Sequence, residues 1–206
     1  MKDDNFVYII GAGGHAKVVI AALQACGISC HGIYDDNKLL FGKKLWNIPI
    51  LGAIEELPDQ SCIKAVIAIG SNCVRKKISE KFINVSWQTI IHPHSWVHSS
   101  VKISAGTVIF AGAIIQPDTI IGLHSIINTS VSVDHDCNIG DYCHIAPGCH
   151  IAGGVTIGNE SFIGIGTAIT PEVNINSNII VGAGSAVINN LDINGTYVGT
   201  PAKRIK

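Results

Sequence analysis

At 206 residues the chain is long enough for one large domain or two small ones, each with a real core. Lys plus Arg number 14 against 15 for Asp plus Glu, so the basic surplus of a nucleic-acid binder is missing. Only 14% of residues are charged while glycine is frequent at 22, a balance that favours tightly turned backbone over charged helices, and seven scattered cysteines with no CxxC pair exclude a zinc ribbon or a paired disulfide framework.

The chain opens on the acidic "MKDDNF", and the apolar run that follows, "VYII", is too short for a signal peptide or a membrane span. The expectation is a soluble, reduced, cytoplasmic protein with no membrane insertion. "FVYIIGAGGHAKVVIAALQACGISCHGIYDD" then reads as strand, glycine turn, helix, strand and acid. Gly11, Gly13 and Ala16 satisfy the dinucleotide fingerprint, and Asp35 and Asp36 end the second strand at the usual distance. Gly13 lets backbone approach a phosphate, and the helix N-terminus behind it favours an anion. One more strand–helix unit, "AVIAIGSNCVRKKISEKF", and a short strand near Trp87 follow. That is about half of a dinucleotide fold, enough for a mononucleotide, so a UDP-sugar suits it better than NAD. The plain alternatives are a simple βα turn for the glycines and a solvated loop for the two acids.

From Ile91 the chain changes rhythm. Stepping by six from Ile91 through Val187 gives seventeen residues, all Ile or Val. Four residues after most of them comes something small or β-branched: Thr107, Ala113, Thr119, Ser125, Val131, Cys137, Cys143, Cys149, Val155, Ser161, Thr167. A six-residue period fits neither an amphipathic helix nor an alternating strand, and predicts a parallel β-helix. Three short strands make a coil of about 18 residues, stacked roughly 4.8 Å from the next. The Ile/Val row points inside and the small residues fill corners, the three cysteines among them as buried small hydrophobes. Gly122, Asn128, Gly140, Gly158, Gly164 and Gly182 are expected to make the tight turns.

The repeat with its tail "YVGTPAKRIK", Tyr197 to Lys206, resembles the left-handed β-helix, hexapeptide-repeat acyltransferases. With "GAGGHAK", "YDD" and "IAIGSN" ahead of it, nearly the whole chain resembles the sugar-nucleotide N-acetyltransferases of the bacillosamine type and their sialic acid O-acetyltransferase relatives. The resemblance implies a Rossmann-like half-domain at 1–90, a left-handed parallel β-helix at 91–195, and a tail at 196–206 near the CoA site. It further implies a homotrimer using acetyl-CoA, with nucleotide-sugar contacts at Gly13, Gly14, His15, Asp35, Asp36 and Gly70. Acetyl-CoA contacts carry over to His144, Gly153, Ile165, Ala183 and Lys203, with active sites in clefts between subunits.

"SVSVDHDCNIGDYCHIAPGCHIAGG", Ser130 to Gly154, concentrates histidine, cysteine and acid. A zinc site needs three or four ligands converging on one ion. In a solenoid, side chains stack on one face only when 18 apart, so His135, His144 and His150 cannot converge within one chain. No metal is expected, although a γ-class carbonic anhydrase gathers histidines across subunits on this fold. His135 lies two residues after the inward Val133, so it points outward, with Asp136 beside it. Imidazole suits a base working near pH 7, and a carboxylate orients it. The family's catalytic pair aligns with His135 and Asp136, the acid here being one methylene shorter than the Glu of the bacillosamine enzymes. Asn128 matches a family position near that histidine, the alternative being a turn Asn. Gly153, one coil above His135, leaves room for an acetyl group and offers an N–H to a developing oxyanion. His150 is expected to be structural. The activity implied is acetyl transfer to the amine of a UDP-linked 4-amino-4,6-dideoxy sugar. Rivals are a sialic acid or other sugar O-acetyltransferase, a non-catalytic sugar-nucleotide sensor and an NAD-dependent dehydrogenase.

Overall fold

A computed structural model describes residues 6–206; the acidic start read from the sequence lies outside them apart from Phe6. The described chain divides into two compact units after His92.

The first unit is built on a parallel sheet. Its elements are β1 (Phe6–Ile10), α1 (Gly14–Ala25), β2 (Ser29–Tyr34), β3 (Lys44–Leu45), β4 (Ile48–Gly52), β5 (Lys64–Ile67), α2 (Asn72–Lys81) and β6 (Ser86–Trp87). The strand order is β3-β4-β2-β1-β5-β6, with β3 the antiparallel edge. The β3–β4 hairpin was not expected from the sequence. Trp46 and Asn47 both take positive φ, 49° and 68°, which matches the two-residue turn that suits a twisted hairpin. It is the "WN" between Leu45 and the apolar "IPIL" that carried this signal. β1 is an apolar run because both sheet faces are covered: Ile9 and Ile10, Ile33 at the end of β2, and Val19, Ile20 and Leu23 of α1 are all fully buried. Chain order reverses between β1 and β5, and ligands of open parallel sheets bind at such a point, outside the carboxyl ends of the strands.

The second unit is a solenoid of three parallel ladders. Trp96–Val97, Ile114–Ile115, Ser132–Val133, His150–Ile151, Ala168–Ile169 and Ala186–Val187 form one six-stranded ladder. A second runs from Lys102–Ile103 to Asn174–Ile175, and a third includes Ile126–Ile127, His144–Ile145 and Phe162–Ile163. Each residue pairs with the one 18 further on, as Ile127 with Ile145 and Ile145 with Ile163. The inward row is buried to 3% exposure or less from Ile109 through Val187. Ile91, the row's first member, is 40% exposed and falls in the first unit; Val97 and Ile103, in the terminal coil, are only partly buried. Each buried Ile contributes roughly 1.5–3 kcal/mol, so the row accounts for a large part of this unit's stability.

The corners differ from expectation in two ways. The tight turns belong to another phase of the repeat: Gly106, Gly112, Asp118, His124, Ser130, Asp136, Tyr142, Gly148 and their successors to Gly184 take φ between 50° and 73°. The expected turn residues, Gly122 and its successors, keep ordinary φ. Glycine is needed there because the next coil lies against it: a Cβ on Gly164 would stand 2.6 Å from the amide nitrogen of Ala183. The cysteines, besides filling corners, also donate. Cys137, Cys143 and Cys149 send their thiols to the carbonyls of Ala152, Gly158 and Gly164 at 3.0–3.2 Å. Thr119 and Ser125 make the same bond to Asp134 and Gly140 at 2.8 Å. A purely apolar side chain would leave these corner carbonyls without that partner, at a cost of about 1 kcal/mol each.

The tail is not a separate piece. Gly195–Val198 adds to the ladder beside Ile179–Val181, and Lys203–Arg204 folds back antiparallel on it.

Candidate active site

His135 and Asp136 occupy a corner of the second unit. Corner geometry puts Asp136 at φ 59°, its N–H tied to the Pro117 carbonyl at 3.1 Å. Asp tolerates this left-handed conformation better than most residues. Both side chains stand in solvent, 60% and 66% exposed, and His135 Nδ1 lies 2.7 Å from Asp136 Oδ2. An ionised carboxylate only accepts, so Nδ1 carries the proton and Nε2 keeps its lone pair. On the other side Asp134 Oδ1 accepts the His135 N–H at 2.8 Å. The Asp136 hydrogen bond first, then the Asp134 charge, raises the His135 pKa above its ordinary value.

Gly153 lies one coil on, and the His135 ring lies over it. A Cβ there would stand 2.7 Å from Cε1 and 2.8 Å from Nε2. The absent side chain therefore makes space for the imidazole itself.

Asn128 and His144 form a second group, on a different edge. Asn128 Nδ2 lies 3.1 Å from His144 Nε2, and its Oδ1 accepts the Thr129 N–H at 2.8 Å. The His144 ring meets Phe162 edge-on at 5.2 Å, the 18-residue partner that the repeat predicts. Ile165 and Ala183, one coil apart in the 18-residue repeat, are exposed, and Lys203 is exposed on the last strand. So Asn128 sits with His144 rather than His135, and Gly153 with His135 rather than His144. His150 is exposed and paired with Ser132, whose Oγ lies 2.8 Å from Nδ1. Among the described residues no group of three His, Cys, Asp or Glu is arranged to hold a metal ion, and no helix is long and apolar enough to cross a membrane.

In the first unit the expected nucleotide-sugar residues gather at the carboxyl ends of β1, β2 and β5. Gly11, at φ 103°, approaches Ile69 so closely that a Cβ would stand 2.7 Å from its Cγ1. Gly13 caps α1 and, like Gly14, faces open space, with His15 following half-buried in the first turn. Asp35 holds this turn: Oδ2 accepts the Ala12 N–H at 2.7 Å and Oδ1 the Asn37 N–H at 2.8 Å. Asp36 accepts the Ile54 N–H at 2.9 Å, and Gly70 lies just beyond β5.

The solved perosamine N-acetyltransferase of Caulobacter crescentus, crystallised with CoA and GDP-perosamine, is 38% identical, with 97% of this chain and 96% of that one covered at a TM-score of 0.91. The chain belongs to the sugar-nucleotide N-acetyltransferases of the hexapeptide-repeat type. The acetyltransferase domain of PglB from Neisseria gonorrhoeae is 30% identical over 98% of this chain and 100% of that chain, also at 0.91. The PglD N-terminal domain family matches residues 6–82. The UDP-N-acetylbacillosamine N-acetyltransferase of Bacillus subtilis is 39% identical over 110 residues, 50% of each chain. The chain spans half or less of the length of the curated relatives it matches. The solenoid is accordingly the left-handed β-helix of these enzymes.

Cys137 and Cys149 offer no ready nucleophile. Burial pushes the Cys149 thiol up to about 11 and raises Cys137 as well, so neither is a thiolate at neutral pH. Two positions went unread in the sequence. Asp134 adds charge behind His135, and it stood in plain view in "DHD". Arg75 is buried at 1% exposure inside a basic run that reads as solvated.

The dyad's electrostatics give a pH signature. A base at His135 would work only when neutral, so kcat/KM is expected to rise with pH through a midpoint above the ordinary imidazole value. Asp136→Asn removes the leading cause of that shift. The acid limb moves to lower pH while the plateau falls, because a neutral amide holds the reactive tautomer less firmly. A pH–rate profile checks this, and an unmoved midpoint rules Asp136 out as the cause.

Proposed function

We propose that the chain transfers the acetyl group of acetyl-CoA to the amine of a UDP-linked 4-amino-4,6-dideoxy sugar in surface-glycan synthesis. The observation that carries this is the exposed His135–Asp136 pair, with Nε2 free to take a proton, in a chain whose first unit has a phosphate turn. The sugar amine attacks the thioester carbonyl. His135 Nε2 takes the amine proton, the C–S bond breaks, and the CoA thiolate leaves, receiving the proton from the imidazolium. The transfer is direct, with no enzyme-bound acyl group. Asn128 and the backbone at Gly153 stabilise the oxyanion, and His144, Ile165, Ala183 and Lys203 line the path of CoA.

His135 and His144 lie on different edges of their own solenoid, so one ligand meets both only across a subunit boundary. The working form is accordingly a cytoplasmic homotrimer; a fully active monomer in analytical ultracentrifugation excludes this. Thiol release from acetyl-CoA across UDP- and GDP-linked amino sugars, with free sialic acid as the hydroxyl acceptor, tests the reaction. Release with sialic acid alone would replace the N-acetyl reading by the O-acetyl one.

The first unit holds the sugar nucleotide, its anionic diphosphate at the N-terminus of α1. Both oxygens of Asp35 are engaged by backbone N–H groups, so its loss loosens the turn that meets the phosphate. Asp35→Ala raises KM for the sugar nucleotide about tenfold, the scale of one charged hydrogen bond. KM for acetyl-CoA stays within about twofold, and steady-state kinetics in both substrates separates the two.

A further inference from the structure

α2 begins with Asn72, and its first turn carries Arg75, the largest fully buried side chain among the described residues. Lys77, two residues on, is exposed. Burying a guanidinium is costly unless its N–H groups are satisfied. Nη1 donates to the Gly70 carbonyl at 2.9 Å and the Ile69 carbonyl at 3.2 Å, and Nη2 to Asn72 Oδ1 at 2.9 Å. One cation therefore fixes the loop between β5 and α2 at two carbonyls and ties it to the first residue of the helix.

That loop forms the wall opposite the glycine turn. The Ala68 N–H donates to the Ile10 carbonyl at 2.7 Å, and Ile69 packs onto Gly11 with no room for a Cβ between them. In a trans peptide the carbonyl and the following N–H point in opposite directions. With the Ile69 and Gly70 carbonyls turned to the guanidinium, the amides of Gly70 and Ser71 face away from it. At 1% exposure Arg75 itself reaches no ligand.

We propose that Arg75 is the positioning residue of the nucleotide-sugar crevice, holding Ile69 and Gly70 from behind so that the loop meets the glycine turn in one geometry. This rests on the reading of the first unit as the nucleotide-sugar site. Lysine cannot replace it, being a single point donor where the planar fork spans three acceptors.

The test uses the full-length protein. UDP and GDP are titrated by calorimetry into wild type, Arg75→Met and Arg75→Lys, and KM and kcat are measured for the sugar nucleotide and acetyl-CoA. Arg75→Met is expected to weaken nucleotide binding and raise KM for the sugar nucleotide about tenfold or more, the loss of charged hydrogen bonds, with Arg75→Lys in between. kcat and KM for acetyl-CoA stay within about twofold. Folded variants that bind nucleotide as wild type does overturn the role of Arg75 alone. Variants that lose activity toward both substrates in proportion to lost folded protein overturn it too, in favour of a merely structural part. Wild type binding neither nucleotide overturns the proposal together with the reading beneath it. If Arg75→Met does not fold, Asn72→Ala decides: it removes one of the three anchors, is expected to weaken nucleotide binding about twofold to fivefold, and overturns the proposal if binding is unchanged.

Discussion

Replacing His135 by alanine is expected to lower kcat by about 10²–10⁴, the range for losing a positioned general base, while the protein folds normally. The side chain is 60% exposed and hydrogen-bonds its neighbour Asp136, so no core contact is lost. KM for both substrates should change little, because the base takes its proton as the bond forms and does not hold either substrate. Steady-state kinetics beside a thermal melt checks this. Activity within twofold of wild type would remove His135 from the mechanism and leave the exposed Asp136 without a catalytic partner.

Gly153→Ala should cost nearly as much by a different route. The added methyl would overlap the imidazole at Cε1 and Nε2, and an exposed histidine yields by swinging away. Stability therefore changes little, whereas the base leaves its working position, and a displacement of about 1 Å can cost about 10²-fold. A double-mutant cycle gives the decisive reading. If Gly153 acts through His135, adding Gly153→Ala to His135→Ala causes no further loss in kcat. Additive losses would instead mean that the added methyl acts on something besides the His135 ring, such as the room for the acetyl group.

Much of the architecture was legible because the β-helix is a local repeat. Isoleucine or valine at every sixth position needs one buried row, and an 18-residue coil then dictates which residues stack. That arithmetic placed His135 under Gly153 and His144 under Phe162, and both pairs are found. The glycine phase was misread for a physical reason: a glycine kept for close approach looks the same in sequence as one kept for positive φ. Gly164 and Gly166 illustrate this two residues apart, the first pressed by the next coil and the second at φ 67° with open space around it. The β3–β4 hairpin was missed because Trp46 is no ordinary turn residue.

The sequence by itself determined the two-part order, the inward and outward faces of the solenoid, and the outward His–Asp pair. All of these follow from the period of the chain and the direction of successive side chains. Only the tertiary structure decided which groups touch. It paired Asn128 with His144 instead of with His135, set the His135 ring on Gly153, spent both oxygens of Asp35 on backbone N–H groups, and buried Arg75 behind the β5–α2 loop. Those contacts depend on side-chain torsions and on the distance between segments remote in the chain, and neither is encoded in a local pattern.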